Sequence, residues 1–264
     1  MRRSTVRSVT TAGALLVAAG AVADLLPTVT AVSPVRRLCP GLAGRGDPGH
    51  VALTLDDGPH PVATPLLLQR LDELAVRATF FLLAEQVRRY PRVAYETRER
   101  GHEIAVHGLR HDPPTRPWRA GTDLVEAHRI IADVTGAKPG WYRPPYGVLT
   151  TSRAVAARRL GLRPVLWTAD GRDWAAGADG DSVARRVLAR LDGGGTVLLH
   201  DSDVAAVPGS WRSALGALDT IVGHCRAQGL LVGPLRDHGL RSGSEKSRRR
   251  RVTEPALAGQ RQNG

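Results

Sequence analysis

Val51-Ala52-Leu53-Thr54-Leu55-Asp56-Asp57-Gly58-Pro59 runs an apolar strand straight into two adjacent carboxylates and a turn. A buried strand has no physical reason to finish on two acids unless its end faces chemistry. Gly58 tolerates φ > 0 and Pro59 cannot donate to a ladder, so the strand stops there. Successive side chains of an extended chain point to opposite faces, so Asp56 and Asp57 do not readily act as twin ligands of one ion. They divide the labour instead, one holding a metal and the other acting as a base. For the tetrapeptide alone an acidic surface turn is the competing reading, and the downstream sequence decides between them.

Outward from this stretch, residues 50–238 alternate short apolar runs with amphipathic ones, the pattern of repeated β-α units. Strands are expected near 51–55, 78–83, 102–107, 141–142, 164–168, 196–199 and 230–232. Helices are expected at 65–75, 91–100, from Thr122 to Gly136, 151–160, 181–191 and 213–227. Gly193-Gly194-Gly195 precedes a strand and not a helix, so it is read as a turn and not as a phosphate cradle. The expected fold is α/β, a distorted (β/α)7-type barrel with its active site at the C-terminal ends of the strands. Asp56-Asp57, His107, Arg143, Asp170 and His200 each close an expected strand, which collects them around one mouth.

His107-Gly108-Leu109-Arg110-His111 carries a His-x-x-x-His spacing that lets two imidazoles grip one ion. Two histidines and one carboxylate, with Asp57 at the neighbouring strand end, leave open positions for water and substrate. His102 lies five residues before His107 on a strand, points to the opposite face and is expected to be structural.

Taken together, these residues resemble the motifs of the polysaccharide deacetylases, the NodB-homology or carbohydrate esterase family 4. Thr54 to Pro59 is similar to the first motif and His107 to His111 to the second. Arg143-Pro144-Pro145-Tyr146-Gly147 resembles the third, Asp170-Gly171-Arg172-Asp173-Trp174 the fourth and Leu198-Leu199-His200 the fifth. The resemblance implies that Asp57, His107 and His111 bind one divalent metal ion, zinc first, with cobalt, nickel or manganese as alternatives. It implies Asp56 as base paired with Arg143, and the Tyr146 N–H as an oxyanion donor. His200 becomes the acid, partnered by Asp170 or, with no change of mechanism, by Asp173. Pro145, Tyr146, Trp174 and Leu198 would contact substrate, Trp174 and Leu198 walling the acetyl methyl. Two positions depart from the pattern: Leu55 stands where the family usually has Phe, and Gly108 where it usually has Ser or Thr. Loss of such a hydroxyl can weaken metal affinity about 10–100-fold.

The 264 residues, 42% hydrophobic, suffice for one domain with tails. Residues 1–23 have an export-signal layout: Arg2, Arg3 and Arg7, an apolar run to Ala23, and Ala21-Val22-Ala23 as a small-x-small cleavage site, with an uncleaved anchor as the alternative. Residues 24–49 are expected to be a linker segment, and 239–264, with Arg248 to Arg251, a disordered basic tail able to touch anionic cell-wall polymer. A net charge of +12 favours anionic partners, but no nucleic-acid-binding motif accompanies it, so specific nucleic-acid binding is not expected. In an exported chain, Cys39 and Cys225 invite one disulfide, two unpaired thiols being the alternative. The expected protein is a monomer, secreted or wall-associated, with membrane anchoring as the alternative. It would deacetylate N-acetylglucosamine-type polysaccharide, peptidoglycan or chito-oligosaccharide. A non-catalytic wall-binding protein of the same fold and an O-acetyl (xylan) esterase are the competing readings.

Overall fold

The computed structural model describes Asp24, Thr28–Val29, residues 38–113 and residues 117–240; the expected export segment and basic tail lie outside the described residues. Eight strands form one parallel sheet. They are β1 (His50–Asp56), β2 (Thr79–Leu83), β3 (Glu103–Gly108), β4 (Trp141–Tyr142), β5 (Arg163–Pro164), β6 (Ala169–Asp170), β7 (Thr196–His200) and β8 (Leu231–Gly233). The order is β5-β4-β3-β2-β1-β7-β6, with β8 also pairing β1. Since β5 and β6 are its two ends, the sheet is a half-barrel that opens between them. Where one strand is expected over 164–168, the chain makes two-residue strands on either side of 165–168. That break is the opening.

The helices are α1 (Ala63–Glu73), α2 (Ala84–Arg89), α3 (Pro91–Glu99), α4 (Pro117–Thr135), α5 (Thr151–Arg159), α6 (Gly180–Leu188) and α7 (Trp211–Ala227). Among the described residues, no helix is long and apolar enough to cross a membrane.

The period of two in the strands builds two layers. Val51, Leu53 and Leu55 of β1 join Phe80, Leu82, Ile104, Val106, Val197 and Leu199 in the core between sheet and helices. Ala52, Phe81 and Ala105 take the inner face, with Trp141 and Val165. Continuing that inner register upward gives Thr54 and Asp56 on β1, His107 on β3 and Leu198 and His200 on β7. One strand alternation thus supplies both the core and the site. His102 lies just before β3, buried, where its Nδ1 accepts from Ala78 N (3.2 Å) and its ring meets Phe80 edge-on. It is structural, as expected.

Residues 41–47, expected as linker, are bonded into the barrel. Leu166 N donates to Leu42 O (2.7 Å), Gly46 N to Gly194 O (2.9 Å) and Thr196 Oγ1 to Gly44 O (2.7 Å). Below them His238 Nε2 donates to the carbonyls of Gly44 and Gly194 (both 3.1 Å). The expected disulfide is not formed: Cys39 and Cys225 are free, Cys39 exposed and Cys225 on the buried, core-facing side of α7. Burial raises the Cys225 thiol to about 11.

Candidate active site

At the C-terminal ends of the strands lies a cavity of about 370 Å³. Asp56, Asp57, His107, His111, Asp170 and His200 all line it. β1 ends at Asp56, and Asp57 takes a left-handed backbone (φ 78°). The two carboxylates therefore part company through a backbone turn, not through strand alternation as the sequence implied. Tyr146 (φ 59°) and Arg172 (φ 53°) are also left-handed, so three of the four such non-glycine residues among those described are in the site's loops. Strain of this kind persists only where surrounding structure over-determines it.

Asp56 faces Arg143. The guanidinium is fully buried, and Nη1 donates to Asp56 Oδ1 and Thr54 Oγ1 (both 2.7 Å) while Nη2 donates to Leu166 O (2.9 Å). Phe81 lies beneath it, 4.1 Å from ring centroid to Cζ. Each charge is thus paired and its remaining donors are used, the condition for tolerating buried ions.

Asp57, His107 and His111 bring one ligand atom each within 4.8 Å of one another. Asp57 Oδ1 stands 3.2 Å from His107 Nε2 and 3.6 Å from His111 Nε2. His107 Nδ1 donates to Arg143 O (2.7 Å), which fixes the tautomer and leaves Nε2 to face Asp57. Burial alone would raise the Asp57 carboxyl, but His107, His200 and His111 outweigh it and hold the group at about 2. Burial lowers His111. Asp57 Oδ1 is buried without a hydrogen-bond donor. A buried anionic oxygen facing two imidazole nitrogens, with no hydrogen-bond donor of its own, fits a divalent cation. Gly108 has φ 150°, a backbone that side chains rarely adopt, although its Cβ position is not crowded, with Arg110 O at 3.4 Å the nearest atom. Glycine takes this backbone without strain.

His200 is held by Asp173, not Asp170. Nδ1 stands 2.9 Å from Asp173 Oδ1, and the backbone N donates to Asp173 Oδ2 (2.7 Å). Burial would lower the imidazole, yet Asp173, with Asp57 and Asp56 beyond, raises it to about 10. The reason for the exchange is local. β6 is only two residues long, and Asp170 Oδ1 accepts from Arg172 N (2.8 Å), closing a turn through left-handed Arg172 that carries Asp173 to His200. Asp170 lines the cavity beside them, its carboxyl raised by burial.

Tyr146, Trp174 and Leu198 line the cavity, whereas Pro145 is buried and outside the lining, and Pro144 takes its place in the wall. The His111 ring packs edge-on against Tyr146 at 4.4 Å. Sequence reasoning missed Trp167, Asp201 and Thr64. Trp167 lines the cavity, and Asp201 is a fully buried carboxyl whose Oδ2 accepts from Thr64 Oγ1 (2.6 Å). Burial, with Asp57 and Asp56 nearby, pushes Asp201 up to about 7. A Cβ on Gly58 would come within 2.1 Å of that carboxylate, so glycine there is a packing requirement. The available signal was a carboxylate directly following a strand-ending histidine.

Comparison with known proteins identifies the family. The family described as polysaccharide deacetylase matches residues 43–165. A chitooligosaccharide deacetylase of Azorhizobium caulinodans is 32% identical over 70% of this chain and 92% of its own length. A peptidoglycan-N-acetylglucosamine deacetylase of Bacillus cereus is 29% identical over 76% of this chain and 72% of its own. Among solved structures, a peptidoglycan N-acetylglucosamine deacetylase in complex with a substituted N-oxidanyl-benzamide superposes with TM-score 0.68 at 27% identity, covering 75% of this chain and 92% of that one. A family 4 pseudoenzyme from Bacillus anthracis gives 0.65 at 26%, covering 73% and 66%. The chain belongs to the polysaccharide deacetylase family, the NodB-homology hydrolases of carbohydrate esterase family 4, whose members named as N-acetylglucosamine deacetylases act on carbon–nitrogen bonds other than peptide bonds.

Proposed function

We propose that this chain is an exported, metal-dependent deacetylase that removes acetyl groups from N-acetylglucosamine units of cell-wall peptidoglycan or chito-oligosaccharide. One observation carries the reading. A single cavity gathers a two-histidine, one-carboxylate set, a carboxylate fixed by a buried arginine, and a charged imidazole fixed by a second carboxylate. The substrates named for the relatives support the glycan class. The basic start and apolar run of residues 1–23 support export, and the Arg-rich residues 239–264 support contact with anionic wall polymer.

Asp57, His107 and His111 would hold one divalent ion, zinc being the first choice for this donor set. Bound there, the ion supplies Lewis-acid polarisation and acidifies water. Asp56 takes the proton of the attacking water, aimed by the 2.7 Å bond from Arg143. Tyr146 offers its backbone N–H to the developing oxyanion. His200, charged below about 10, gives its proton to the leaving amine while Asp173 holds the ring. Trp174 and Leu198 enclose the acetyl methyl.

The test is acetate release from a panel of acetylated glycans, with and without added divalent metal, for wild type and His111→Ala. Metal-dependent release from N-acetylglucosamine polymers, with both metal content and activity lost in His111→Ala, is expected. No acetate from any glycan with metal present would overturn the reading in favour of a non-catalytic glycan binder. Full metal content in His111→Ala would overturn the ligand set.

A further inference from the structure

Once Asp173 is recognised as the partner of His200, Asp170 is left as the one acidic side chain lining the cavity that the deacetylation chemistry does not use. Its placement is specific. The β6–β7 register pairs Asp170 with Leu198, the wall expected to meet the acetyl methyl, two residues before His200. Its Oδ1 is committed to Arg172 N at 2.8 Å, which orients the carboxyl. The guanidinium of the neighbouring Arg172 lies over the Trp174 ring at 5.2 Å. Among the described residues, no Lys or Arg lines the cavity. Asp170 therefore presents one acceptor oxygen beside Leu198, backbone-fixed and with no Lys or Arg of the cavity lining to claim it, while the charged His200 is held by Asp173.

In a glycan chain of N-acetylhexosamine, the free hydroxyl next to the acetamide carbon is that on C3, since C1 is taken by the glycosidic bond. In N-acetylmuramic acid that oxygen is an ether bearing a lactyl carboxylate, so it has no proton to give and adds a negative charge. Resting on the deacetylase reading above, we propose that Asp170 accepts a hydrogen bond from the C3 hydroxyl and so restricts the site to N-acetylglucosamine units, excluding N-acetylmuramic acid units. A site built to bond a substrate hydroxyl rejects the analogue lacking it strongly, because its polar group is left unpaired. Like charge at the same point adds a repulsive element to the discrimination.

The experiment compares wild type, Asp170→Asn and Asp170→Ala, each loaded with metal. Substrates are penta-N-acetylchitopentaose and a soluble peptidoglycan glycan of alternating N-acetylglucosamine and N-acetylmuramic acid, with mass spectrometry locating the deacetylated sugars. Asn keeps the acceptor for Arg172 N while removing the charge, and thermal melting verifies that each variant is folded. Wild type should deacetylate N-acetylglucosamine units at least ~100-fold faster than muramyl units. Asp170→Asn and Asp170→Ala should raise KM for chitopentaose about 10–100-fold with kcat changing far less, as for loss of a hydrogen bond to a charged group. The preference against muramyl units should narrow in both. Equal wild-type rates on the two sugars, or folded variants with unchanged KM and unchanged preference, would overturn the proposal while leaving the deacetylase reading standing. Wild-type silence on both substrates would overturn the deacetylase reading, and this inference with it.

Discussion

Replacing Asp56 by Asn separates what the first motif does for chemistry from what it does for folding. Arg143 is fully buried and spends Nη1 on Asp56 and Thr54, Nη2 on Leu166 O and a longer contact from Nε on Val165 O (3.4 Å). Breaking a buried ion pair from one side costs about 3–5 kcal/mol, because the remaining charge is stranded. Asn still offers an oxygen to Nη1 and the other acceptors stay, so the lower end, ~3 kcal/mol, is expected. For a domain of this size that corresponds to a fall of about 6–12 °C in Tm. The same change removes the base, so kcat for acetate release should drop about 10²–10⁴-fold. Bound metal should remain, since Asp57, His107 and His111 are untouched. The assay is acetate release with metal analysis and thermal melting on the same preparation. Wild-type kcat in a folded, metal-loaded Asp56→Asn protein would refute the assignment of the base. An unchanged Tm would refute the energetic account of the Arg143 pair.

Asp173→Asn should lower the His200 pKa, so the alkaline limb of the kcat profile moves to lower pH while metal content holds; an unmoved limb in a folded variant would return the role to Asp170. Gly58→Ala drives a methyl into the Asp201 carboxylate and should destabilise by about 1–3 kcal/mol, read by denaturant titration. His102, lowered to about 4 chiefly by burial, stays neutral in the fold while the unfolded chain protonates it near 6.5. Its contribution is thus complete above pH 6.5 and lost as pH falls towards 4, worth about 3 kcal/mol, and His102→Asn should flatten the stability–pH curve by that amount relative to wild type. Thiol titration of the unfolded protein without reductant should find two free groups, with only Cys39 reacting in the native state.

Much of this arrangement is visible in the sequence because the inner face of each strand is written at alternate positions. Thr54 and Asp56, like Leu198 and His200, are two apart, so finding the strand end finds the site. Where strands are too short to impose a period, sequence reasoning fails. β6 has two residues, and nothing in Asp170-Gly171-Arg172-Asp173 reveals that Arg172 turns left-handed and exchanges one aspartate for the other. α2 has six residues, fewer than two helical turns, and runs directly from β2 with Pro91 opening α3 close behind, so it carries no readable amphipathic pattern. Asp201 and Thr64 escaped for another reason. They are distant in sequence, and only the meeting of β7 with the start of α1 makes a buried pair of them. Cys39 and Cys225 were paired by count, and the count carries no geometry.

The segment at 41–47 acts as an extra stave laid against the 165–168 break and the start of β7, hydrogen-bonded to Leu166, Gly194 and Thr196 without belonging to any strand. A recombinant fragment begun at His50, where the first strand starts, would therefore be a barrel with a missing plank. The loose edge would fall at Leu166, the carbonyl that anchors Arg143, so trimming far below the mouth would slacken the guanidinium that aims the base. Fusion partners and purification handles belong ahead of Leu38, and shortening past Gly41 should be felt as lost turnover before it is felt as lost fold.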